Sequence, residues 1–221
     1  KVVLADIAAD ESNVVAAKIR DAGGQALSVP TDVTDEAAVQ AMADAAANEF
    51  GGIDGLINNA SLMSVLPRGD WFEISADRWD SVMSVNLKGI FLCCRSVYSY
   101  MQKRGGGSIV NISSSRIWEG NPNRLDYTTS KAGVVGLTRA LAREIGDDNI
   151  SVNAITPGLT MSETQLASSS SNYLGGKDER KCFKRPQTPD DLVGAVIFLL
   201  SDAAAFMTGQ TVNVDGGTYM H

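Results

Sequence analysis

Tyr127 and Lys131 lie four residues apart in the run Tyr127-Thr128-Thr129-Ser130-Lys131, a spacing that sets a phenol and an amine one above the other on one helix face. A free tyrosine titrates near ~10 and a lysine near ~10.4. A neighbouring ammonium favours the phenolate, so the pairing predicts a phenol drawn down toward working pH, each unit being worth ~1.4 kcal/mol. The spacing alone is met equally well by a tyrosine that packs its ring on a lysine stem in solvent. What favours chemistry is the company the pair keeps. Asp6, Asp32, Asn58-Asn59-Ala60-Ser61, Ser113-Ser114 and Pro157-Gly158 each fall just past a stretch that reads as a strand.

Those strands alternate with helices. Lys1 to Asp6 is a short apolar run without alternation, as in a strand buried on both faces of a parallel sheet. A helix is predicted from Asp10 to Ala22, stopped by Gly23-Gly24, then a strand from Ala26 to Val29. Thr34 is the expected cap of the next helix, whose apolar stripe is Val39, Met42, Ala43, Ala46 and Phe50. Ile53 to Asn58 is a third strand. Ser75 caps a long helix to Lys103 that contains Asn86 and Gly89, both poor in a helix interior and so marked for function or close packing. Ser108 to Ile112, the Tyr127 helix to Ile145 and Ile150 to Ile155 continue the pattern. Thr188-Pro189-Asp190-Asp191 opens the last long helix, and Val212 to Val214 closes the sheet.

Repeated units of this length predict one α/β domain over residues 1–221, a doubly wound, Rossmann-like parallel sheet in three αβα layers, with ligands at the carboxyl ends of the strands. A net charge of −7 offers no basic field for a phosphate backbone, which excludes nucleic acid as the expected partner. The longest apolar run, Leu192 to Leu200, is nine residues, under half a membrane-spanning helix, so the expectation is a soluble cytoplasmic protein with no membrane partner. Three cysteines show neither a disulfide framework nor zinc spacing. The single histidine is His221, so neither a Ser-His-Asp triad nor a metal site is expected.

The motifs resemble those of the short-chain dehydrogenase/reductase family along essentially the whole chain. They are NNA at Asn58 to Ala60, Asn86 in SVNLKG, NISS ending at Ser114, YTTSK at Tyr127 to Lys131, PG at Pro157-Gly158, and VDGG at Val214 to Gly217. Thirteen residues separate Ser114 from Tyr127, the family's usual offset. The resemblance implies that Tyr127 is the general acid/base while hydride moves to or from nicotinamide, and that Lys131 lowers the phenol's pKa and holds the nicotinamide ribose. It implies that Ser114 binds the substrate oxygen and Asn86 anchors a water chain to solvent. Ser113 and Ser115 would face away from Ser114 at a strand end.

Asp6, followed by Ile7, would hold the adenosine ribose hydroxyls and repel a 2′-phosphate, which argues for NAD over NADP. Asp32-Val33 resembles the adenine-contacting pair, and Asn59, Ala60 and Ser61 border the adenosine ribose; plain turn chemistry would place the same residues there. Pro157, Gly158, Thr160 and Ser162 resemble the segment that holds the carboxamide. The family more often has Gly at the Ser61 position and Thr at the Ser162 position. Ser61, NPN before the tyrosine and TPGL after it are similar to a subgroup with aryl secondary-alcohol and pyridoxal dehydrogenases. Trp118, Met63, Leu66, Leu159 and Phe183 are candidates to wall an apolar or aromatic alcohol or ketone, with Trp118 and Phe183 equally placed for an interface or core. Residues 160–185 resemble a substrate lid, and the helices of Asn86 and Tyr127 resemble those that pair subunits into a tetramer, failing that a dimer.

No G-x-x-x-G-x-G occurs in the sequence, so the family's first strand, phosphate turn and first helix have no counterpart in it. The expectation is that roughly thirty residues lie upstream in the intact protein, the length of one strand-turn-helix lead-in. A catalytically silent dinucleotide-binding regulator on the same fold is the alternative. The complete Ser114, Tyr127, Lys131 and Asn86 set argues against it.

Overall fold

The computed structural model describes residues 1–63, 65–163, 166 and 180–220. Its main elements are β1 (Val2–Asp6), α1 (Ala9–Asp21), β2 (Ala26–Pro30), α2 (Glu36–Phe50), β3 (Gly55–Asn58), α3 (Ala76–Met83), a π-helical turn (Ser84–Lys88) and α4 (Gly89–Arg104). They continue with β4 (Gly107–Ile112), the single turn α5 (Arg116–Glu119), α6 (Leu125–Glu144), β5 (Ile150–Pro157), α7 (Asp190–Leu200) and β6 (Thr211–Val214). Every strand pair is parallel. Hydrogen bonding divides the strands into a two-stranded sheet, β1-β2, and a four-stranded sheet in the order β3-β4-β5-β6.

Alternate residues of one strand feed two cores, which accounts for the uninterrupted apolar runs. In β4, Ile109 packs with Ile90, Val97 and Met101 of α4 and Val134 of α6, whereas Val110 packs with Ile155 and with Leu199 of α7. Both faces are thus covered, and each fully buried side chain of this size contributes about 1.5–3 kcal/mol. A third cluster joins Val39 and Met42 of α2 and Leu92 and Cys93 of α4 to Ala5, Val29 and Leu56, spanning the two sheets. The helical stripe in α2 is the one its spacing predicts, with Val39, Met42 and Ala43 buried and a left-handed Gly51 as stop.

The cap of α2 differs from expectation. Asp35, not Thr34, accepts from the Ala37 and Ala38 amides, because Thr34 is drawn back to Asp32, whose Oδ1 accepts from both its amide and its hydroxyl. At the start of α7, Asp191 Oδ2 accepts from both the Thr188 amide, at 2.8 Å, and the Thr188 hydroxyl, at 3.2 Å. The helix expected from Ser75 to Lys103 has its Ser75 cap, with Oγ accepting from Arg78, but its middle is a π turn. Gly89 follows that turn at a packing contact: a Cβ there would meet Val33 Cγ2 at 2.8 Å. Among the described residues no helix is long and apolar enough to cross a membrane. Residues 164–165 and 167–179 of the expected lid, and His221, lie outside the described residues.

Candidate active site

Parallel strands share one carboxyl edge, and the site is built there from β3, β4, β5 and the start of α6. Tyr127 occupies the third position of α6, where its amide has no partner within the helix. Asp126, fully buried, supplies one: its Oδ1 accepts from the Tyr127 amide at 2.8 Å and its Oδ2 accepts from Arg78 Nε at 2.7 Å. This desolvated carboxylate, paired and hydrogen-bonded on both oxygens, clamps the helix start to α3.

Tyr127 is 5% exposed, and the nearby Ser114 side chain favours its ionised form. Burial raises the phenol above its ordinary pKa, opposed by the Ser114 hydroxyl and by the charges of Arg116 and Arg124. The downward pull expected from Lys131 is therefore not what sets the phenol in this structure. Lys131 Nζ donates to the Ile112 carbonyl at 2.8 Å and stands 5.9 Å from the centroid of the tyrosine ring. Its own pKa is lowered by burial to about 8. The three serines after β4 have separate duties: Ser113 Oγ donates to the Lys131 carbonyl at 2.7 Å, Ser114 meets the phenol, and Ser115 donates its amide to Pro157.

Asn86 sits inside the π turn with no exposed surface. Its Nδ2 donates to the Leu62 carbonyl at 3.1 Å and to Ser130 Oγ at 3.0 Å, and its Oδ1 accepts from the Leu62 amide at 2.7 Å. Ser130 Oγ in turn donates to the Tyr127 carbonyl at 2.7 Å. One asparagine thus ties the loop after β3 to α6. A second polar chain runs beneath, from Asn58 through Asn111 to Thr138, at 2.8 and 3.0 Å. Every member is paired, as buried polar groups require.

The remaining candidates spread along the same edge. Asp6 and Ile7 are exposed at the end of β1, where Asp6 Oδ1 accepts from the Ala8 amide at 2.9 Å. Asp32 is exposed and held below its ordinary pKa by the Thr34 amide and hydroxyl, and Val33 packs against Gly89. Asn59, Ala60 and Ser61 are exposed after β3. Gly158 approaches Gln187 and Asp215 so closely that a Cβ would meet them at 2.6 and 2.9 Å. Thr160 bridges to Gln187, and the Ser162 amide donates to the Thr160 carbonyl.

Sequence reasoning missed four side chains at this centre. Arg78 and Asp126 fix α6; an acid in the first turn beside the tyrosine was a signal for Asp126, but nothing local marks Arg78. Arg116 opens α5, Arg124 immediately precedes α6, and both act on the phenol through their charge. On the same turn as Arg116, Glu119 accepts from Arg180 at 3.0 Å. Burial works to raise the Glu119 carboxyl, yet bonds to Tyr219, Arg180 and Asn121 hold it below its ordinary value.

Comparison with known proteins bears on the same chemistry. The family model described as enoyl-(acyl carrier protein) reductase matches residues 1–219. An uncharacterized oxidoreductase of Mycobacterium tuberculosis is 44% identical over 216 residues, 98% of this chain and 86% of the relative. A probable galactose dehydrogenase of Rhizobium meliloti is 39% identical over 221 residues, 99% of this chain and 85% of the relative. Among solved structures, a 7α-hydroxysteroid dehydrogenase complexed with NADH and 7-oxo glycochenodeoxycholic acid matches with a TM-score of 0.92 at 31% identity, over 98% of this chain and 84% of that one.

Proposed function

The chain belongs to the short-chain dehydrogenase/reductase family, and from that premise we propose that it interconverts a secondary alcohol and a ketone with NAD, using Tyr127 as general acid/base. The observation that carries this reading is the burial of Ser114, Tyr127 and Lys131 together at the carboxyl edge of β4, with Lys131 Nζ held on the Ile112 carbonyl at the end of that strand. When bound, a nicotinamide dinucleotide supplies the hydride donor or acceptor. In reduction the phenol donates its proton to the developing alkoxide, Ser114 donates a hydrogen bond to the same oxygen, and in oxidation both roles reverse.

The residues present fit such a group at its ribose and nicotinamide ends. Lys131 Nζ carries three N–H donors, and Ile112 accepts one of them. Asp6 keeps Oδ2 for ribose hydroxyls, with Oδ1 engaged by Ala8. Ile7, Asp32, Val33, Asn59, Ala60 and Ser61 border the adenosine half in this reading, and Pro157, Gly158, Thr160 and Ser162 the carboxamide. Asp6→Ala should therefore raise the ratio of NADP to NAD kcat/KM by about 10–100-fold, since a carboxylate no longer repels the 2′-phosphate. An unchanged ratio removes Asp6 from the cofactor site.

A cytoplasmic homotetramer is part of the reading. Val193, Ile197 and Phe198 of α7 and the nearby Phe206 are exposed apolar side chains close together in the chain, a surface suited to a second subunit. Sedimentation at micromolar concentration should return four subunits; a monomer contradicts it.

A further inference from the structure

Arg116 carries a charge for which the fold provides no counter-ion among the described residues. Its Nη2 donates to the carbonyls of Asn121 at 3.1 Å and Pro122 at 3.2 Å, and its amide donates to Ser114 Oγ at 3.3 Å. Its Nε is buried with no hydrogen-bond partner. Glu119, the acid nearest in sequence, is engaged by Arg180. Nη1 donates to no described residue, so the guanidinium is anchored on one nitrogen and keeps donors on another. Arg124, the residue before α6, donates through Nη1 to the Met63 carbonyl, which places a second guanidinium between the β3 loop and α6.

A guanidinium stays charged throughout the working pH range, and one partly removed from water with neutral carbonyls alone is incompletely compensated. Its planar fork matches a carboxylate, whose charge-assisted bonds are roughly twice as strong as neutral ones. Both cations lie close enough to the reacting phenol for their charge to act on it. We propose that Arg116, with Arg124 as a second cation acting on the same centre, is the binding site for a carboxylate on the substrate, so that the molecule turned over is a hydroxy acid or its oxo counterpart. The inference rests on the reading that Ser114 and Tyr127 form the reaction centre. It adds what that reading leaves open, an anionic group held a few atoms from the reacting carbon.

The test is calorimetric titration of the protein, with and without NADH, by benzoate and by its neutral isostere benzamide. Benzoate should bind at least tenfold more tightly than benzamide. Arg116→Gln should abolish that preference while leaving benzamide binding within about twofold, and Arg116→Lys should restore part of it. Equal affinities for the two probes in the parent protein, or no detectable benzoate binding, overturn the proposal without any variant. Loss of both probes together in a folded Arg116→Gln protein also overturns it, because that result assigns Arg116 only to holding the 116–124 loop. Since binding is read rather than turnover, a protein that prefers benzoate through Arg116 yet reduces no ketone keeps this inference and sinks the proposed reaction.

Discussion

Replacing Tyr127 with phenylalanine should lower kcat by about 10²–10⁴-fold, the usual contribution of a positioned acid or base, while nicotinamide dinucleotide affinity stays within about twofold. The ring remains, so the packing of a side chain that is only 5% exposed is kept and the hydroxyl alone is lost. Ser114 keeps its amide contact from Arg116. The wild-type pH profile supplies a second readout. Burial holds the phenol above its ordinary value, so the proton needed for ketone reduction is in place at neutral pH. Alcohol oxidation, which needs the phenolate, should climb with pH between about 7 and 10, and the variant should lose that slope. A Tyr127→Phe protein with near-wild-type kcat ends the assignment.

Lys131→Met should show the opposite pairing of effects: activity falls by about 10²-fold or more, yet the protein becomes more stable by about 1–3 kcal/mol at pH 7. Lys131 is 2% exposed, and burial lowers its pKa from the usual lysine value to about 8. Below pH 8 the amine is charged in both the folded and the unfolded chain, so the full cost of burying the ammonium is present. Between pH 8 and the ordinary lysine value the unfolded chain binds a proton that the folded chain does not, and wild-type stability rises with pH. Methionine removes that cost at the expense of the bond to the Ile112 carbonyl. The stability gap between variant and wild type should therefore be widest below pH 8 and shrink above it, as measured by urea unfolding at several pH values. A variant less stable than wild type at neutral pH refutes this account of Lys131.

The elements whose periodicity is unmixed were legible in the sequence. Ile109 and Val110 face opposite cores, and only a strand buried on both sides has that continuous apolar run. The α2 stripe was readable for the same reason, and Gly51 for its left-handed backbone. The cap was not, because Thr34 and Asp35 are both good N-caps and a tertiary-independent rule cannot see that Asp32 takes Thr34 first. In the site, the residues carried by local motifs, Ser114, Tyr127 and Lys131, are buried together at one strand edge. Those defined by distance across the chain were not legible: Arg78 reaches Asp126 from 48 residues away. The sign of the phenol's shift was misjudged because spacing reports which groups are neighbours along a helix but not how dry the neighbourhood is. Lys131 is turned to Ile112, and desolvation dominates.

The π turn from Ser84 to Lys88 gives its helix one residue more than an α-helical repeat would use. Each residue of an α-helix turns the chain by about 100°, so the faces before and after that turn are out of phase by about this angle. Asn86 must point toward Leu62 and Ser130, while Gly89, three residues on, must press its backbone on Val33. A uniform α-helix through this stretch would satisfy one of these demands and rotate the other out of reach. Length and orientation are therefore locked together in this helix, and drift by insertion or deletion between Ser84 and Lys88 is closed to it even where single substitutions are tolerated.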